Sequence, residues 1–371
     1  MIKILTIFGT RPETIKMAPV VKALAKYPDK IKSLVCVTAQ HREMIDPLLS
    51  LFEIKPDFDL NIMTPNQTLE DITVAVLTKT AEIIRAEKPD YIIVQGDTTT
   101  GMAASLAAFY NQVKIIHVEA GLRTYDIHNP YPEEVNRVII DAMTDIYCAH
   151  TSNAKENLIK EGVRENKIVI TGNTVIDALL DVSSKDVNLS QTNLRDIPLN
   201  KRIILVTSHR KESLGAPLEN ICAALKSLAE KYKDTIHIVF PVHLNPNVQK
   251  IVFSTLDKVN NISLIEPLDY LLFVQLLKQS YLILSDSGGI QEEAPSLNKP
   301  VLVLRDTTER PEAAQAGATK IIGTDTQRII DETSNLLDNE EAYNQMTQSD
   351  NPYGDGTAAM KIVTTILARN N

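Results

Sequence analysis

The chain has 371 residues, 44% of them hydrophobic and 23% charged, with a net charge of −9. That is a globular composition too long for one core, so two domains are expected. The acidic balance argues against a nucleic-acid partner, which asks for a basic face, although a local cationic pocket for a small polyanion stays open. Cys36, Cys148 and Cys222 stand apart in apolar surroundings without CxxC spacing, and read as small core residues of a reducing compartment. The chain opens directly on a strand, too short and wrongly flanked for a signal peptide. The stretch 268–284 is broken by Gln275, Lys278 and Gln279, so it reads as a helix followed by a strand and not as a membrane span. A cytoplasmic location, with no membrane partner, follows.

Taken in order, short β-rich runs alternate with helical patterns. In the first half the strands are expected near 2–8, 32–38, 91–95, 113–118, 145–150 and 167–171. Apolar stripes mark helices between them, one at Leu69, Ile72, Val76, Ile83 and Ile84, another at Val135, Val138 and Ile139. In the second half strands are expected near 202–208, 235–241, 262–266, 281–285, 300–305 and 319–322. The alternation predicts an α/β protein of two Rossmann-like, doubly wound parallel sheets. The first domain is placed at 1–182 and the second at 183–356, with 183–201 as a polar, turn-rich linker. A last helix within 357–371 is expected to cross back to the first domain.

Ligands of doubly wound sheets sit at the carboxyl ends of the strands, and the unusual polar residues fall there. The first strand is followed by Gly9-Thr10-Arg11-Pro12-Glu13, with Lys16 one turn on. Later strand ends carry Gly96-Asp97-Thr98-Thr99-Thr100 and Glu119-Ala-Gly-Leu-Arg123, and a loop carries Glu133, Glu134 and Arg137. The second half contributes His209-Arg210-Lys-Glu212, His243, and the stretch 281–295. There Asp286 and Ser287 end a strand, Gly288 and Gly289 form a tight turn, and Ile290 opens a helix. Backbone N–H groups at such a helix start suit a phosphate, and Glu292 or Glu293 one turn later suits ribose hydroxyls. Arg305 to Arg310 follow. Two sheets with polar rims imply an interdomain cleft as the site.

The glycines do not spell GxGxxG after the first strand, and GxxxxGK[ST], HExxH and clustered cysteines are absent. No cofactor and no metal are therefore expected. What remains is a set of cations (Arg11, Lys16, His209, Arg210, Arg310) and a set of carboxylates (Asp97, Glu119, Glu133, Glu134). The cations suit a diphosphate and the carboxylates suit proton transfer. Bland alternatives stand beside these readings. Asp97 caps the next helix, one of Glu133 and Glu134 only serves the helix dipole, and His209 is a satisfied core histidine. His117, His150 and His237 read as packing within strands, and Arg123 and Arg137 as partners of carboxylates. Glu119, inside the strand His117-Val-Glu-Ala-Gly, is costly to bury without a function.

In order along the chain stand FGTRPE (8–13), TAQHR (38–42), GDTTT (96–100), HVEAGLRT (117–124), PEE-x-NR (132–137), HR-x-E (209–212), PVHLNP (241–246), DSGGIQEEAPSL (286–297) and RDTTERPE (305–312). With these motifs the sequence resembles the non-hydrolysing UDP-N-acetylglucosamine 2-epimerases over essentially its whole length. The resemblance implies a GT-B-like homodimer that interconverts UDP-GlcNAc and UDP-ManNAc without nicotinamide or metal, by eliminating UDP to 2-acetamidoglucal and adding it back. It implies Asp97, Glu119, Glu133 and His209 as catalytic groups, with Arg11 and Lys16 beside His209 on the departing diphosphate. It implies Ser287, Gly288 and Gly289 on phosphate, Glu293 on ribose, Arg310 on the nucleotide and Phe273 against the uracil. A second UDP-GlcNAc acts as activator in many bacterial members, and Gln40, His41, Gln67, Glu134, Arg210 and His243 match residues there. The chain departs from that pattern at Asn66, where some activated members carry arginine, and at Ser213, where asparagine is common. The product of such an enzyme feeds bacterial surface polysaccharide.

Overall fold

The computed structural model describes residues 1–39, 42–208, 210 and 213–370. They form two compact units, Met1–Ala178 with Tyr353–Asn371, and Leu179–Pro352.

The first unit begins with β1 (Ile2–Phe8), α1 (Arg11–Ala25), β2 (Ile31–Val37), α2 (Arg42–Leu51), β3 (Phe58–Asp59) and α3 (Leu69–Glu87). It continues with β4 (Tyr91–Gln95), α4 (Thr99–Tyr110), β5 (Lys114–Ala120), α5 (Glu133–Met143), β6 (Ile146–Ala149), α6 (Ser152–Lys160) and β7 (Ile168–Ile170). The division from the second unit falls within α7 (Thr174–Ser183). The strands pair in parallel in the order β3-β2-β1-β4-β5-β6-β7. Buried parallel strands are apolar on both faces, and β1 and β4 are built that way. On one face Leu5, Ile7, Cys36, Ile92, Val94 and Ile115 pack against Ile72, Val76 and Ile84 of α3. Helix α4 joins them through Ala103, Ala104, Ala107 and Ala108, small side chains that let it lie close to α3 and α5. Each fully buried Leu or Ile here contributes on the order of 1.5–3 kcal/mol.

The second unit holds β8 (Arg202–Thr207), α8 (Ala216–Lys231), β9 (Ile236–Pro241), α9 (Pro246–Leu256), β10 (Ile262–Ile265), α10 (Tyr270–Gln279), β11 (Ser280–Ser285) and α11 (Gly288–Glu293). β12 (Val301–Val303), α12 (Pro311–Gln315), β13 (Thr319–Ile321), α13 (Thr326–Asp338) and α14 (Glu340–Thr347) complete it. Its sheet has the order β10-β9-β8-β11-β12-β13, again parallel. Counted from its own first strand this is 3-2-1-4-5-6, the same winding as in the first unit. Ile204, Val206, Ile238, Phe240, Leu282 and Leu284 pack with Leu225 of α8, Val252 of α9 and Ile329 of α13. Helix α15 (Ala358–Ala368) packs on α1 in the first unit, and the Asp177 carboxylate of α7 accepts from the N–H groups of Ala358 and Ala359 at its start.

Every strand expected from the sequence is present within one or two residues. β3 was missed because two residues carry no pattern, and the strand expected at 300–305 is shorter, Val301–Val303. The three cysteines are buried free thiols. Burial pushes those of Cys36, Cys148 and Cys222 up to about 12. Among the described residues no helix is long and apolar enough to cross a membrane.

Gly121, just beyond β5, has a φ of +83°, and a β-carbon there would lie 2.3 Å from the Ala154 carbonyl oxygen. Gly162 has a φ of +87° with nothing within 4 Å. Gly162→Ala should therefore lose only the left-handed penalty of about 1–2 kcal/mol, whereas Gly121→Ala should lose clearly more. Urea denaturation of the two variants measures the difference.

Candidate active site

In a doubly wound sheet the crevice opens where strand order reverses. In the first unit that point lies between β1 and β4. The β1–α1 turn is fixed by a capping box in which Glu13 accepts from the N–H groups of Gly9 and Thr10 at 3.0 and 2.8 Å. Thr98 Oγ donates to the other Glu13 oxygen at 2.7 Å, so this carboxyl also ties the β1 turn to the β4 turn. Burial raises its pKa, against the hydrogen bonds from Thr98, Thr10 and Gly9 that lower it. Arg11 opens α1 and is exposed, and Lys16 follows one turn later.

Glu119 is not an ordinary strand residue. Pairing of β5 with β6 skips from Val118 to Ala120, and Glu119 occupies the bulge with a φ of 69°. Bulges re-aim a side chain, and positive φ in a non-glycine residue costs on the order of 1–3 kcal/mol and clusters at functional sites. The carboxylate accepts from Lys16 Nζ at 2.5 Å and from Gln95 Nε2 at 2.7 Å. The sequence placed this acid inside an apolar strand. The bulge and the lysine together make its burial tolerable.

Asp97 does not cap α4, because Thr98 does, accepting from the Gly101 N–H at 2.9 Å. Instead Asp97 Oδ2 receives Nε and Nη2 of Arg137 at 3.0 and 2.7 Å, while Asn136 donates to its backbone oxygen. Arg137 also reaches Glu134 at 2.6 Å. Glu134 accepts from the N–H groups of Thr124 and Tyr125 as well. Burial alone would raise the Glu134 carboxyl, but Tyr125, Thr124 and Arg137 outweigh it and hold it below the usual range. Its neighbour Glu133 is half-buried, with Oε2 enclosed and without a hydrogen-bond partner among the described residues. The three carboxylates thus differ in their surroundings: Glu119 meets a lysine, Asp97 an arginine, and Glu133 Oε2 no hydrogen-bond partner among the described residues.

Beneath them lies a network that the sequence did not reveal. His117, expected to be packing, is fully buried, and its Nδ1 lies 2.6 Å from Asp141 Oδ1 and its Nε2 2.8 Å from the Gly96 carbonyl. Asp141 Oδ2 accepts from Gly121 N–H at 3.2 Å and Arg123 Nη2 at 2.7 Å. Arg123 also pairs with Glu161. Burial pushes the Asp141 carboxyl up, but His117 and then Arg123 prevail and hold it below the ordinary carboxylate range. His150 stacks on Tyr353, and His237 Nε2 meets Ser263 Oγ at 2.8 Å.

In the second unit the order reverses between β8 and β11. Asp286, fully buried, accepts from Ser208 Oγ, Arg210 N–H and Ser213 Oγ at 3.1, 3.0 and 2.9 Å, joining the loops after those two strands. Ser213, which departs from the common asparagine, is thus a donor to this carboxylate. Ser287 stands at the N-cap of α11 without capping it through its side chain, so the turn of Gly288 and Gly289 presents backbone N–H groups. Glu293 ends the same helix. Arg310 bonds the buried Glu292, and Arg210 reaches Glu309 at 3.3 Å. Phe273 lies half-buried on α10, and His243 is exposed, its Nδ1 accepting from Asn245 N–H. Gln67, in the first unit, accepts from Thr64 N–H within the loop before α3. Gln40, His41 and His209, like Lys211 and Glu212, lie outside the described residues. No group of three or more potential metal ligands converges among the described residues.

Two Rossmann-type parallel sheets, one edged with carboxylates and the other with a glycine turn, define a nucleotide-binding α/β enzyme. The UDP-N-acetylglucosamine 2-epimerase family model matches residues 22–367. The UDP-N-acetylglucosamine 2-epimerase of Yersinia pestis is 53% identical over 367 residues, covering 97% of each chain. The crystal structure of a Listeria monocytogenes protein described as a putative member superposes with a TM-score of 0.94 at 48% identity, over 99% of this chain and 96% of that one. That of the Neisseria meningitidis enzyme, bound to UDP-GlcNAc, gives 0.88 at 50% identity over 99% and 100%. The chain belongs to the UDP-N-acetylglucosamine 2-epimerase family.

Asp141 provides a check of the buried network. Its folded pKa is depressed, so its contribution is complete above the unfolded carboxyl pKa of about 4 and is lost as pH falls through the folded value. Asp141→Asn should be less stable than the wild type by on the order of 3 kcal/mol at pH 7, and the gap should narrow below pH 4. Urea midpoints across pH 3–7 test this.

Proposed function

We propose that this enzyme interconverts UDP-GlcNAc and UDP-ManNAc by elimination and re-addition of UDP. The observation that carries the reading is the carboxyl edge of the first sheet, where Glu119 sits in a bulge of β5 and Asp97 follows the paired strand β4. A proton on sugar C2 has no adjacent carbonyl, so a carboxylate alone cannot remove it. When the C1–O bond breaks, its electron pair leaves with UDP and positive charge builds at C1. The C2–H bond then gives its proton to a carboxylate, and its electrons form the C1–C2 double bond of 2-acetamidoglucal. In the second half a protonated acid on the other face delivers a proton to C2, and a β-phosphate oxygen of the retained UDP closes on C1. Two proton-transfer groups are needed, and each is worth about 10²–10⁴ in rate. Asp97, Glu119 and Glu133 supply them.

Arg11, Lys16 and His209 neutralise the departing diphosphate in this reading. Ser287, Gly288 and Gly289 bind its phosphates, Glu293 the ribose, Arg310 the nucleotide and Phe273 the uracil. Lys16 has a second part, since its Nζ also donates to the Glu119 carboxylate. Residues 1–182 carry the acid–base groups, 183–356 the nucleotide site, and the helix within 357–371 returns to the first domain. The resemblance supports a cytoplasmic homodimer that supplies ManNAc-type precursors for bacterial surface polysaccharide. It also supports an activating second UDP-GlcNAc held by Gln40, His41, Gln67, Glu134, Arg210 and His243.

Turnover of UDP-GlcNAc in D₂O should place deuterium at C2 of both UDP-sugars by NMR, and turnover without exchange would refute the mechanism. Asp97→Asn and Glu119→Gln should each lower kcat at least 10²-fold while UDP affinity, measured by calorimetry, stays near that of the wild type.

A further inference from the structure

We propose that His117 and Asp141 are positioning residues for the epimerisation, an imidazole–carboxylate pair that fixes the turn bearing Asp97 against the turn bearing Glu119. The inference rests on the reading of those two carboxylates as proton-transfer groups. His117 lies within β5, two residues before Glu119, and its ring has no solvent contact. Both ring nitrogens face acceptors. Nε2 meets the carbonyl of Gly96, the peptide immediately before Asp97, and Nδ1 meets Asp141. Through its second oxygen Asp141 holds the N–H of Gly121, two residues after Glu119. One ring therefore reaches the Asp97 turn by one hydrogen bond and the far side of the Glu119 bulge by two.

Helix α5 extends the same frame. Asp141 lies one turn beyond Arg137, which grips the Asp97 carboxylate, and two turns beyond Glu133. A shift of that helix or of either turn is transmitted to all three acids. Packing alone asks less of a histidine. His237, buried near the start of β9 in the second sheet, has a single hydrogen-bond partner among the described residues, Ser263 Oγ on the neighbouring β10. The chemistry also asks for such a frame. Proton donor and acceptor must face one carbon from opposite sides, and displacement by about 1 Å costs on the order of 10²-fold in rate.

The test uses the full chain and two substitutions that keep different halves of the imidazole. In His117→Gln the side-chain amide stands near the Nε2 position and keeps a donor for the Gly96 carbonyl. In His117→Asn it stands near Nδ1 and that bond is lost. The expected result is a kcat about 10²-fold below wild type for His117→Asn, with KM within about threefold and UDP affinity within about twofold, and recovery of about tenfold in kcat for His117→Gln. Equal losses in the two variants, a wild-type kcat in His117→Asn, or loss of UDP affinity in step with kcat would each overturn the proposal in favour of a merely structural role. If His117→Asn does not fold, Asp141→Asn decides: a fall in kcat at unchanged UDP affinity supports the proposal, and an unchanged kcat overturns it. Absence of C2 exchange in the wild type would instead remove the reading of Asp97 and Glu119. Exchange in the wild type with no order between Gln and Asn removes this inference alone.

Discussion

A carboxylate taken out of water needs a cation or several N–H donors within reach, and the carboxyl edge of the first sheet is arranged around that requirement. Burying one uncompensated charge costs several kcal/mol, yet Glu13, Glu119, Glu134 and Asp141 are all buried there. Each is answered locally. Glu13 has two peptide N–H groups and a threonine, Glu119 a lysine and an amide, Glu134 two peptide N–H groups and an arginine, and Asp141 a histidine, an arginine and a peptide N–H. Because the donors come from neighbouring turns, satisfying the charges also fixes the turns. The edge is tied together by its own charges, and Asp97 and Glu133 stand beside turns that other acids hold.

Much of this was legible in the residues. The parallel sheets follow from short apolar runs alternating with amphipathic helices, and the gathering of polar groups at one edge follows from all strands running the same way. Arg137 as a carboxylate partner was also readable, since it lies on a helix that opens with two acids. Other features leave no pattern. β3 is two residues long, and the bulge at Glu119 shows only as an acid where an apolar residue belongs. His117 was read as packing because strand periodicity does not tell whether a buried nitrogen has a partner. Its partner Asp141 lies 24 positions away on another element. Asp286 was read as a strand terminator, and its bonds to Ser208 and Ser213 depend on β8 and β11 being neighbours, which strand order decides and spacing does not.

The second unit solves a different problem on the same winding. Its reversal point is joined by the buried Asp286, and the glycine turn beside it leaves N–H groups uncommitted by side-chain capping. In the first unit donors are consumed by resident carboxylates. In the second the N–H groups at the start of α11 are taken by no side-chain cap. The same topology therefore carries buried, hydrogen-bonded carboxylates in one unit and an uncapped glycine turn in the other.

The thiols carry one further consequence. Burial pushes the thiols of Cys36, Cys148 and Cys222 up to about 12, so almost none is thiolate at neutral pH, and all three are buried. Thiol-directed reagents should therefore react slowly with these three sulfurs until the chain unfolds.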